Sequence, residues 1–288
     1  MAKGLEIKRR IRSISSMLKV TKAMELIASI KMRKAQEAAL RSKDYAFESW
    51  RSIIRLSKLP ENRESPLLKE REEGKILALV ITSDRGLAGS YNTDILRKVL
   101  SFVEENGIEN IDFITMGEKG TKFVQKIGGN IVANFPLGEQ IRFTMISPAA
   151  LIGWEGFLQN KYKKFISLHT HFESAIKTQS SCLQILPIDI KKLEEEGLGE
   201  DKTVEYIFEP KREEVMYEII RQTVRALTYQ VILESEAAEQ AARMIAMRNA
   251  SDAAGDLKED FEFTFNQIRQ QSITQELAEI SAGAIALE

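Results

Sequence analysis

The sequence predicts an α/β protein in which a long antiparallel coiled coil of N- and C-terminal helices carries an inserted, doubly wound, mostly parallel α/β domain. Three observations predict this fold. Residues 1–59 and 211–288 contain no proline and together only three glycines, so they could build helices of roughly 80 and 110 Å. Apolar residues at both ends recur at steps of three and four, and strand-length apolar runs lie between them. The predicted domains are a helical shaft of residues 1–60 and 211–288 and an α/β domain of residues 75–210.

The apolar residues of the two end segments have the spacing of coiled-coil seams. Two such sets occur in the N-terminal segment, the first being Ile7, Ile11, Ile14 and Leu18 and the second Met17, Val20, Met24 and Ile27. After Pro210 the same period returns, in Ile220, Val224, Leu227 and Val231, then in Leu257, Phe261, Phe265 and Ile268, and last in Ile273, Leu277, Ile280 and Ala284.

The middle of the chain alternates strands with helices. Residues 76–83 form a continuous apolar run, which is typical of a central strand buried on both faces. A turn at 84–92 follows and opens a helix that extends to about Val103. Further strands are predicted at 111–116, 129–135, 165–172, 182–188 and 206–208, and helices at 119–126 and 146–162. This order predicts a mostly parallel, doubly wound sheet of Rossmann-like type.

The charges of the two ends have opposite signs. Residues 1–43 hold twelve Lys/Arg and three acids, a net charge of +9, whereas residues 236–288 hold four Lys/Arg and ten acids, a net charge of −6. Opposite charge favours pairing of the two ends, whether antiparallel or parallel, and steers each toward partners of the other sign. The predicted fold takes the antiparallel arrangement.

Composition limits the class of protein. The single cysteine, Cys182, permits no intrachain disulfide and no cysteine metal cluster. The sequence shows no signal-peptide core and no apolar run of about 18 residues, so we expect neither secretion nor a membrane span. The basic, amphipathic N-terminus could also belong to a transit peptide, but its pattern continues without a break into the shaft, which favours a structural segment.

The turn at 84–92 stands where phosphate-binding loops stand, after a strand and before a helix. It lacks the spacing of a dinucleotide fingerprint and of a phosphate loop. Gly86 and Gly89 are better explained by a tight turn, with Ser90 or Asn92 capping the helix that follows.

Other candidate sites are equally incomplete. His169 and His171 share one face of a predicted strand, but two ligands are too few for a metal site. The basic N-terminal face has no interleaved aromatic residues, and its acidic C-terminal companion would repel phosphate, so we expect no nucleic-acid partner. The sequence therefore predicts no catalytic residue, cofactor or metal.

Several short motifs, in order along the chain, resemble those of the gamma subunit of F-type ATP synthases. They are Lys-Val-Thr-Lys-Ala-Met-Glu at 19–25, Asp-Arg-Gly-Leu-Ala-Gly at 84–89, Ala-Arg-Met at 242–244 with Ala-Met at 246–247, and Arg-Gln, Ile-Thr, Glu-Leu and Gly-Ala between 269 and 284. Each motif is weak alone, but together they cover essentially the whole chain and are specific.

The resemblance implies a non-catalytic rotor subunit, the central stalk. Its shaft would turn inside a catalytic ring of alpha and beta subunits, and its α/β foot domain would rest on the membrane proteolipid ring beside the epsilon subunit. One copy would couple ion transport to ATP synthesis or hydrolysis. With no transit peptide, the expected location is the cytoplasmic face of a bacterial inner membrane, as a peripheral subunit.

The same resemblance implies two sets of contact residues. Contacts to the catalytic ring are carried over to Met24, Arg269, Gln270, Thr274 and Glu276, and contacts of the foot to the membrane ring are carried over to Tyr206 and Glu209. The chain departs from the family at two positions. Gln267 stands where an arginine is common, so one charged contact to the ring is missing or moved, and Ala88 replaces a common cysteine, which argues against a redox role.

Two other functions fit parts of the pattern. A nucleotide-using enzyme with coiled-coil arms would bind ATP or NAD as an isolated chain and lose this binding on Asp84→Ala. A static coiled-coil scaffold would keep its function after its shaft is crosslinked to its partners, whereas a rotor would not.

Overall fold

The structure is a computed structural model that describes residues 2–57, 69, 71–138, 143–190, 209 and 211–285. Its helices are α1 (Ala2–Ser57), α2 (Tyr91–Asn106), α3 (Glu118–Lys126), α4 (Phe143–Leu158) and α5 (Arg212–Ile285), with a short 3-10 helix at Ile108–Asn110. Its strands are β1 (Lys75–Ile81), β2 (Ile111–Met116), β3 (Asn130–Phe135), β4 (Tyr162–Phe172) and β5 (Thr178–Leu186). The predicted strand at 206–208 lies outside the described residues.

The chain divides into two compact units. One consists of Met1–Ser29 and Arg243–Glu288, and is called the helical unit below. The other consists of Ile30–Ala242 and is called the sheet unit. The boundary between them falls inside both long helices, so α1 and α5 each contribute residues to both units. The predicted division into shaft and foot domain stays a prediction.

The sheet unit contains five strands in the order β3-β2-β1-β4-β5. The strand pairs β1–β2, β2–β3 and β1–β4 are parallel, whereas β4–β5 is antiparallel. The five residues between β4 and β5 form a turn in which the backbone N–H groups of Glu173 and Ser174 donate to the carbonyl of Lys177. A parallel pair needs a crossover of a dozen residues or more, so this short turn makes β5 antiparallel. The prediction of a mostly parallel α/β sheet is confirmed, with one antiparallel edge strand.

Both faces of the sheet are covered, because successive residues of β1 point to opposite sides. On one face Leu77, Leu79 and Ile81 pack with residues of α4 and of the sheet-unit parts of α1 and α5. On the other face Ile76, Ala78 and Val80 pack with residues of α2 and α3. Because both faces of β1 are buried in this way, almost every residue of the strand is apolar.

Helix α4 differs from its predicted bounds of 146–162 at both ends. It ends at Leu158, and a turn follows in which Asn160 has a φ of 58°. Strand β4 then starts at Tyr162 rather than at 165. The helix lies close to this strand, since a Cβ added to Gly153 would meet the Phe165 ring at 2.5 Å.

In the helical unit α1 and α5 run antiparallel along one another. A Cβ placed on Gly4 would lie 4.0 Å from Cγ2 of Ile268. The guanidinium carbon of Arg10 lies 5.8 Å from the centre of the Phe261 ring. Ser251 Oγ donates a hydrogen bond of 2.7 Å to Thr21 Oγ1. Because the residue number falls along α5 as it rises along α1, the two segments have opposite directions.

Burial in the helical unit follows a strict heptad pattern on both helices. The less exposed positions of α1 include Ile7, Ile11, Ile14, Leu18, Thr21, Glu25 and Ala28. Those of α5 include Met247, Ser251, Ala254, Lys258, Phe261, Phe265, Ile268 and Ser272. Steps of three and four alternate along each set, as in a seam between two helices. These two sets are called the seam below.

The second predicted seam, Met17, Val20, Met24 and Ile27, is wrong as a contact within this chain. The exposed fractions of Met17, Val20 and Ile27 are 57%, 62% and 48%. Leu257 is also exposed, and Lys258 takes the seam position instead. The spacing of both sets on α1 suits a seam, but only one of them faces α5.

Candidate interaction surfaces

An apolar stripe, formed by Met17, Val20, Met24 and Ile27, runs along α1 in the helical unit. These residues share one side of the helix because their steps are three and four. Met24 is half-buried and the other three are exposed. An exposed apolar stripe of this kind marks a surface for a protein partner, and methionine side chains adapt readily to such surfaces.

Basic side chains flank this stripe. Lys8, Arg9, Arg12, Lys19 and Lys22 are all exposed. Arg10 is paired with Glu6 at 2.8 Å, and its guanidinium also lies over Phe261. The surface that α1 presents is therefore apolar in the middle and positively charged at its edges, which suits a partner with acidic segments.

The C-terminal part of α5 carries the other predicted ring contacts, and they are exposed. They are Arg269, Gln270, Thr274 and Glu276. The Thr274 hydroxyl donates to the Gln270 carbonyl at 2.9 Å, so it is tied to its own helix. Helical spacing places Ile273, Leu277 and Ile280 on one side, and all three are exposed.

An amide-rich face lies on another side of this part of α5. It forms a shallow groove lined by Gln267, Gln270, Gln271, Thr274, Gln275 and Ala278. The helix thus offers apolar and hydrogen-bonding groups on different sides over residues 267–280. The motifs in the sequence indicated single residues here, whereas the structure shows two faces of the helix.

The predicted foot contacts are Tyr206 and Glu209. Glu209 is exposed, and Tyr206 lies outside the described residues. Their contact with a membrane ring stays a prediction.

The turn at 84–92 uses its polar groups within the fold. Asp84 Oδ1 accepts from the backbone N–H of Glu118 at 3.0 Å. Asn92 Oδ1 accepts from the backbone N–H of Ser83 at 3.1 Å, and Asn92 Nδ2 donates to Ser83 Oγ at 2.7 Å. Ser90 occupies the N-cap position of α2 but makes no side-chain capping bond. The predicted capping by Ser90 or Asn92 is therefore wrong, since Asn92 anchors the end of β1 instead.

The crevice beyond the carboxyl ends of β1 and β4 is where ligands bind in doubly wound sheets, because the strand order reverses there. In this chain α5 covers it. Ala88 and Tyr91 pack against Ala238, with Phe172 and Ala242 at the edge of the cluster. Below this cluster, Ser235 Oγ of α5 accepts from the backbone N–H of Thr170 at 3.2 Å. Packed side chains occupy the position that a nucleotide would need.

The two histidines have structural partners. His169 is buried beside Ser167, with 2.7 Å between Nδ1 and Oγ, and burial lowers its pKa to about 4. His171 Nδ1 lies 2.6 Å from Glu234 Oε2 on α5. Across the part of the chain that the structure describes, no three His, Cys, Asp or Glu side chains come together as a metal site. In the same residues, no helix is long and apolar enough to cross a membrane.

Sequence reasoning missed two polar groups of the packed helices. In the sheet unit, burial and the neighbouring Glu239 raise the pKa of Glu236 to about 7, while Lys31 of α1 acts in the opposite direction. In the helical unit, Thr21 and Ser251 form a buried hydrogen bond. Glutamate, threonine and serine are ordinary in helices, so only the pairing of α1 with α5 reveals these groups.

Known proteins resemble this chain over its whole length. A family model described as ATP synthase matches residues 3–287. The ATP synthase gamma chain of Legionella pneumophila (strain Corby) is 34% identical over 291 residues, covering 100% of both chains. The ATP synthase gamma chain of Heliobacterium modesticaldum is 37% identical over 286 residues, covering 98% of each.

Solved structures agree with these relatives. A chain of the central stalk and c-ring of the Tetrahymena thermophila mitochondrial ATP synthase is 25% identical, with a TM-score of 0.63, covering 81% of this chain and 99% of that one. A chain of the Euglena gracilis mitochondrial ATP synthase is 17% identical, with a TM-score of 0.67, covering 99% and 95%, and shows the fold alone. The resemblance inferred from the motifs is confirmed, and the chain belongs to the ATP synthase gamma chain family.

Proposed function

We propose that this chain is the non-catalytic rotor, or central stalk, subunit of an F-type ATP synthase. It transmits torque between the ion-driven membrane proteolipid ring and the catalytic ring of alpha and beta subunits, and so couples ion transport to ATP synthesis or hydrolysis. The observation that carries this proposal is the helical unit, in which a seam joins two antiparallel helices while an apolar stripe remains exposed on α1. The similarity to the Tetrahymena central stalk supports it.

The paired helices suit the transmission of torque. Two helices that supercoil around a continuous apolar seam resist bending and twisting better than one helix does, and the heptad spacing on both segments favours such a coiled coil. Seam residues hold the pair together, so the opposite surfaces are free to meet the catalytic ring. Met24 on α1 and Arg269, Gln270, Thr274 and Glu276 on α5 are the proposed contacts.

A non-catalytic role is supported by the covered crevice of the sheet unit. Helix α5 fills the place where a doubly wound sheet would bind a nucleotide. Asp84 is engaged with the N-terminus of α3. The sheet unit is better suited to serve as a rigid foot than to bind a nucleotide. This foot would rest on the proteolipid ring beside the epsilon subunit, with Tyr206 and Glu209 at the contact. In this role the chain would be a peripheral subunit at the cytoplasmic face of a bacterial inner membrane.

The proposal is tested by purifying the complex from the source membranes through an affinity tag on this chain. We expect alpha and beta subunits to copurify in a ratio near three to three to one with this chain, together with epsilon and the proteolipid. Mg-ATP hydrolysis should reside in the complex and be absent from the isolated chain. Hydrolysis by the pure chain, or a lone chain with its own ligand, would contradict the proposal.

The matched variants in this complex are Met24→Lys and Met24→Leu. Lysine adds a cation at the proposed contact with the catalytic ring, so we expect hydrolysis to persist while ATP-driven ion pumping falls. Leucine preserves size and apolar character and should leave both activities near those of the parent. Unchanged pumping in the assembled lysine variant would remove Met24 from the contact surface.

A further inference from the structure

An uncharged polar side of α5 extends over residues 267–278 of the helical unit. Gln267, Gln271, Thr274 and Ala278 follow one another at steps of four, three and four, so they share one side of the helix. This side is called the amide face below. It consists of six exposed residues that line one shallow groove, namely Gln267, Gln270, Gln271, Thr274, Gln275 and Ala278.

The same side of α5 carries charge earlier in the helix. Asp256 and Asp260 precede Gln267 by eleven and seven residues, which places them on this side, and both are exposed. A side of a helix that meets only water ordinarily keeps such charges, whereas the amide face has none over about three turns. Depletion of charge is typical of surface that a protein partner covers.

The side-chain amides of this face are mostly available to a partner. In the described part of the chain, the side chains of Gln267, Gln270 and Gln271 form no hydrogen bond within the protein. Gln275 differs, because its Nε2 donates to Glu279 Oε1 at 2.9 Å. Each glutamine amide offers two N–H donors and one carbonyl acceptor. The face can therefore pair with both kinds of group, as the exposed backbone of a loop requires.

The predicted ring contacts on α5 divide between two sides of the helix. Gln270 and Thr274 belong to the amide face. Arg269 and Glu276 are seven residues apart and share one side, but Arg269 is two residues from Gln271 and hence about 200° round the helix from it. A helix inside a ring meets different segments on its different sides, so the charged pair and the amide face need different partners.

We propose that the amide face docks an uncharged polar loop of the catalytic ring, and that Gln267 and Gln271 extend the contact of Gln270 and Thr274. This inference rests on the rotor function proposed above and names the chemistry of the ring segment that meets this side. A surface without charge has none to complement, so its partner is recognised through hydrogen bonds. Gln267, which stands where an arginine is common, thus belongs to an amide contact that replaces a charged one.

Crosslinking in the assembled complex locates the partner. In a Cys182→Ser background, Gln271→Cys and Glu276→Cys each carry a benzophenone maleimide, and peptide mass spectrometry identifies the ring segment captured on illumination. We expect the probe at position 271 to capture a loop of uncharged polar residues, and the probe at position 276 to capture a different segment. Capture at position 271 of a segment rich in charged residues, or of no ring subunit, would overturn the proposal.

Variants of opposite charge test the chemistry of the contact separately. Gln267→Arg and Gln267→Glu both replace the amide, so against an uncharged loop each should lower Mg-ATP hydrolysis by the assembled complex about two- to tenfold, as expected for one lost hydrogen bond. The control is Asn266→Asp, which adds a charge at an exposed position about 100° away from Gln267 and should leave hydrolysis near that of the parent. Opposite effects of arginine and glutamate would reveal a charged partner and overturn the proposal, and so would parental activity in both.

Salt gives a further readout on the Gln271→Cys chain. The yield of its crosslink should change less than about twofold between about 0.05 and 0.5 M KCl, because salt screens charges and not amide hydrogen bonds. A steep fall would indicate an ion pair and overturn the proposal. Copurification of the chain with the ring subunits is measured first. Its absence would overturn the rotor function as well, whereas a chain that copurifies but fails the crosslinking test would remove this contact alone.

Discussion

Glu236 of α5 has its carboxyl group largely removed from water in the sheet unit. Burial and, to a smaller extent, the charge of Glu239 raise its pKa to about 7, while Lys31 on α1 acts in the opposite direction. The folded chain therefore binds a proton that the unfolded chain releases at lower pH. Stability from this group is fully present below its ordinary pKa of 4.5 and is lost as pH rises through about 7.

Replacing Glu236 by glutamine should flatten this dependence. Between about pH 5 and pH 8 we expect the parent to lose up to about 3 kcal/mol from this group, since one pKa unit corresponds to about 1.4 kcal/mol. Glu236→Gln should lose much less and be the more stable protein at pH 8. Urea unfolding across this range measures the difference, with the exposed Glu259→Gln as control. Parallel curves for parent and Glu236→Gln would show that Glu236 does not titrate in this way.

At the scale of elements, α1 carries two sets of apolar residues that have the same spacing but differ in burial. Ile7, Ile11, Ile14 and Leu18 belong to the seam, whereas Met17, Val20 and Ile27 are exposed. A helical period identifies an apolar side of a helix but not the partner that covers it. The sequence therefore allowed the spacing of both sets to be recognised, while the assignment of one of them to α5 required the structure.

The two sets should respond differently to truncation. Ile14→Ala removes packing in the seam, so we expect the free energy of unfolding of the full-length chain to fall by about 1–2 kcal/mol. Val20→Ala changes an exposed side chain and should cost less than about 0.5 kcal/mol in the same measurement. Chemical denaturation followed by circular dichroism compares them. Equal losses would mean that the stripe on α1 is also packed within the chain.

Other elements were predictable to different degrees. The apolar run of β1 and the alternation around it predicted a mostly parallel α/β sheet, and the structure confirms this. The direction of β5 could not be read from its own residues, because it depends on the short turn that precedes it. The hydroxyls of Thr21 and Ser251 are 230 positions apart in the chain. No local pattern brings such residues together, so this buried hydrogen bond became visible only with both helices in place.

At the scale of the whole molecule, the chain combines a helical unit that has exposed apolar side chains with a sheet unit in which α5 packs over the usual ligand crevice. Both features suit a rotor subunit, because transmitting torque requires surfaces that contact other subunits and does not require an active site in this chain. The residue and element scales agree with this proposal, because α1 has one side that packs against α5 and an exposed apolar stripe on another side, which we propose as the contact with other subunits.

Rotation of this chain within its catalytic ring tests the central claim most directly. Cys182 is the single cysteine and is exposed on β5, so a biotin-maleimide there can hold a bead while the alpha and beta subunits are fixed to glass. We predict stepwise rotation of the bead in one direction when Mg-ATP is added, and its arrest when Met24 is crosslinked to the ring through an engineered cysteine. Sustained ATP hydrolysis by assembled complexes whose beads never turn would contradict the account.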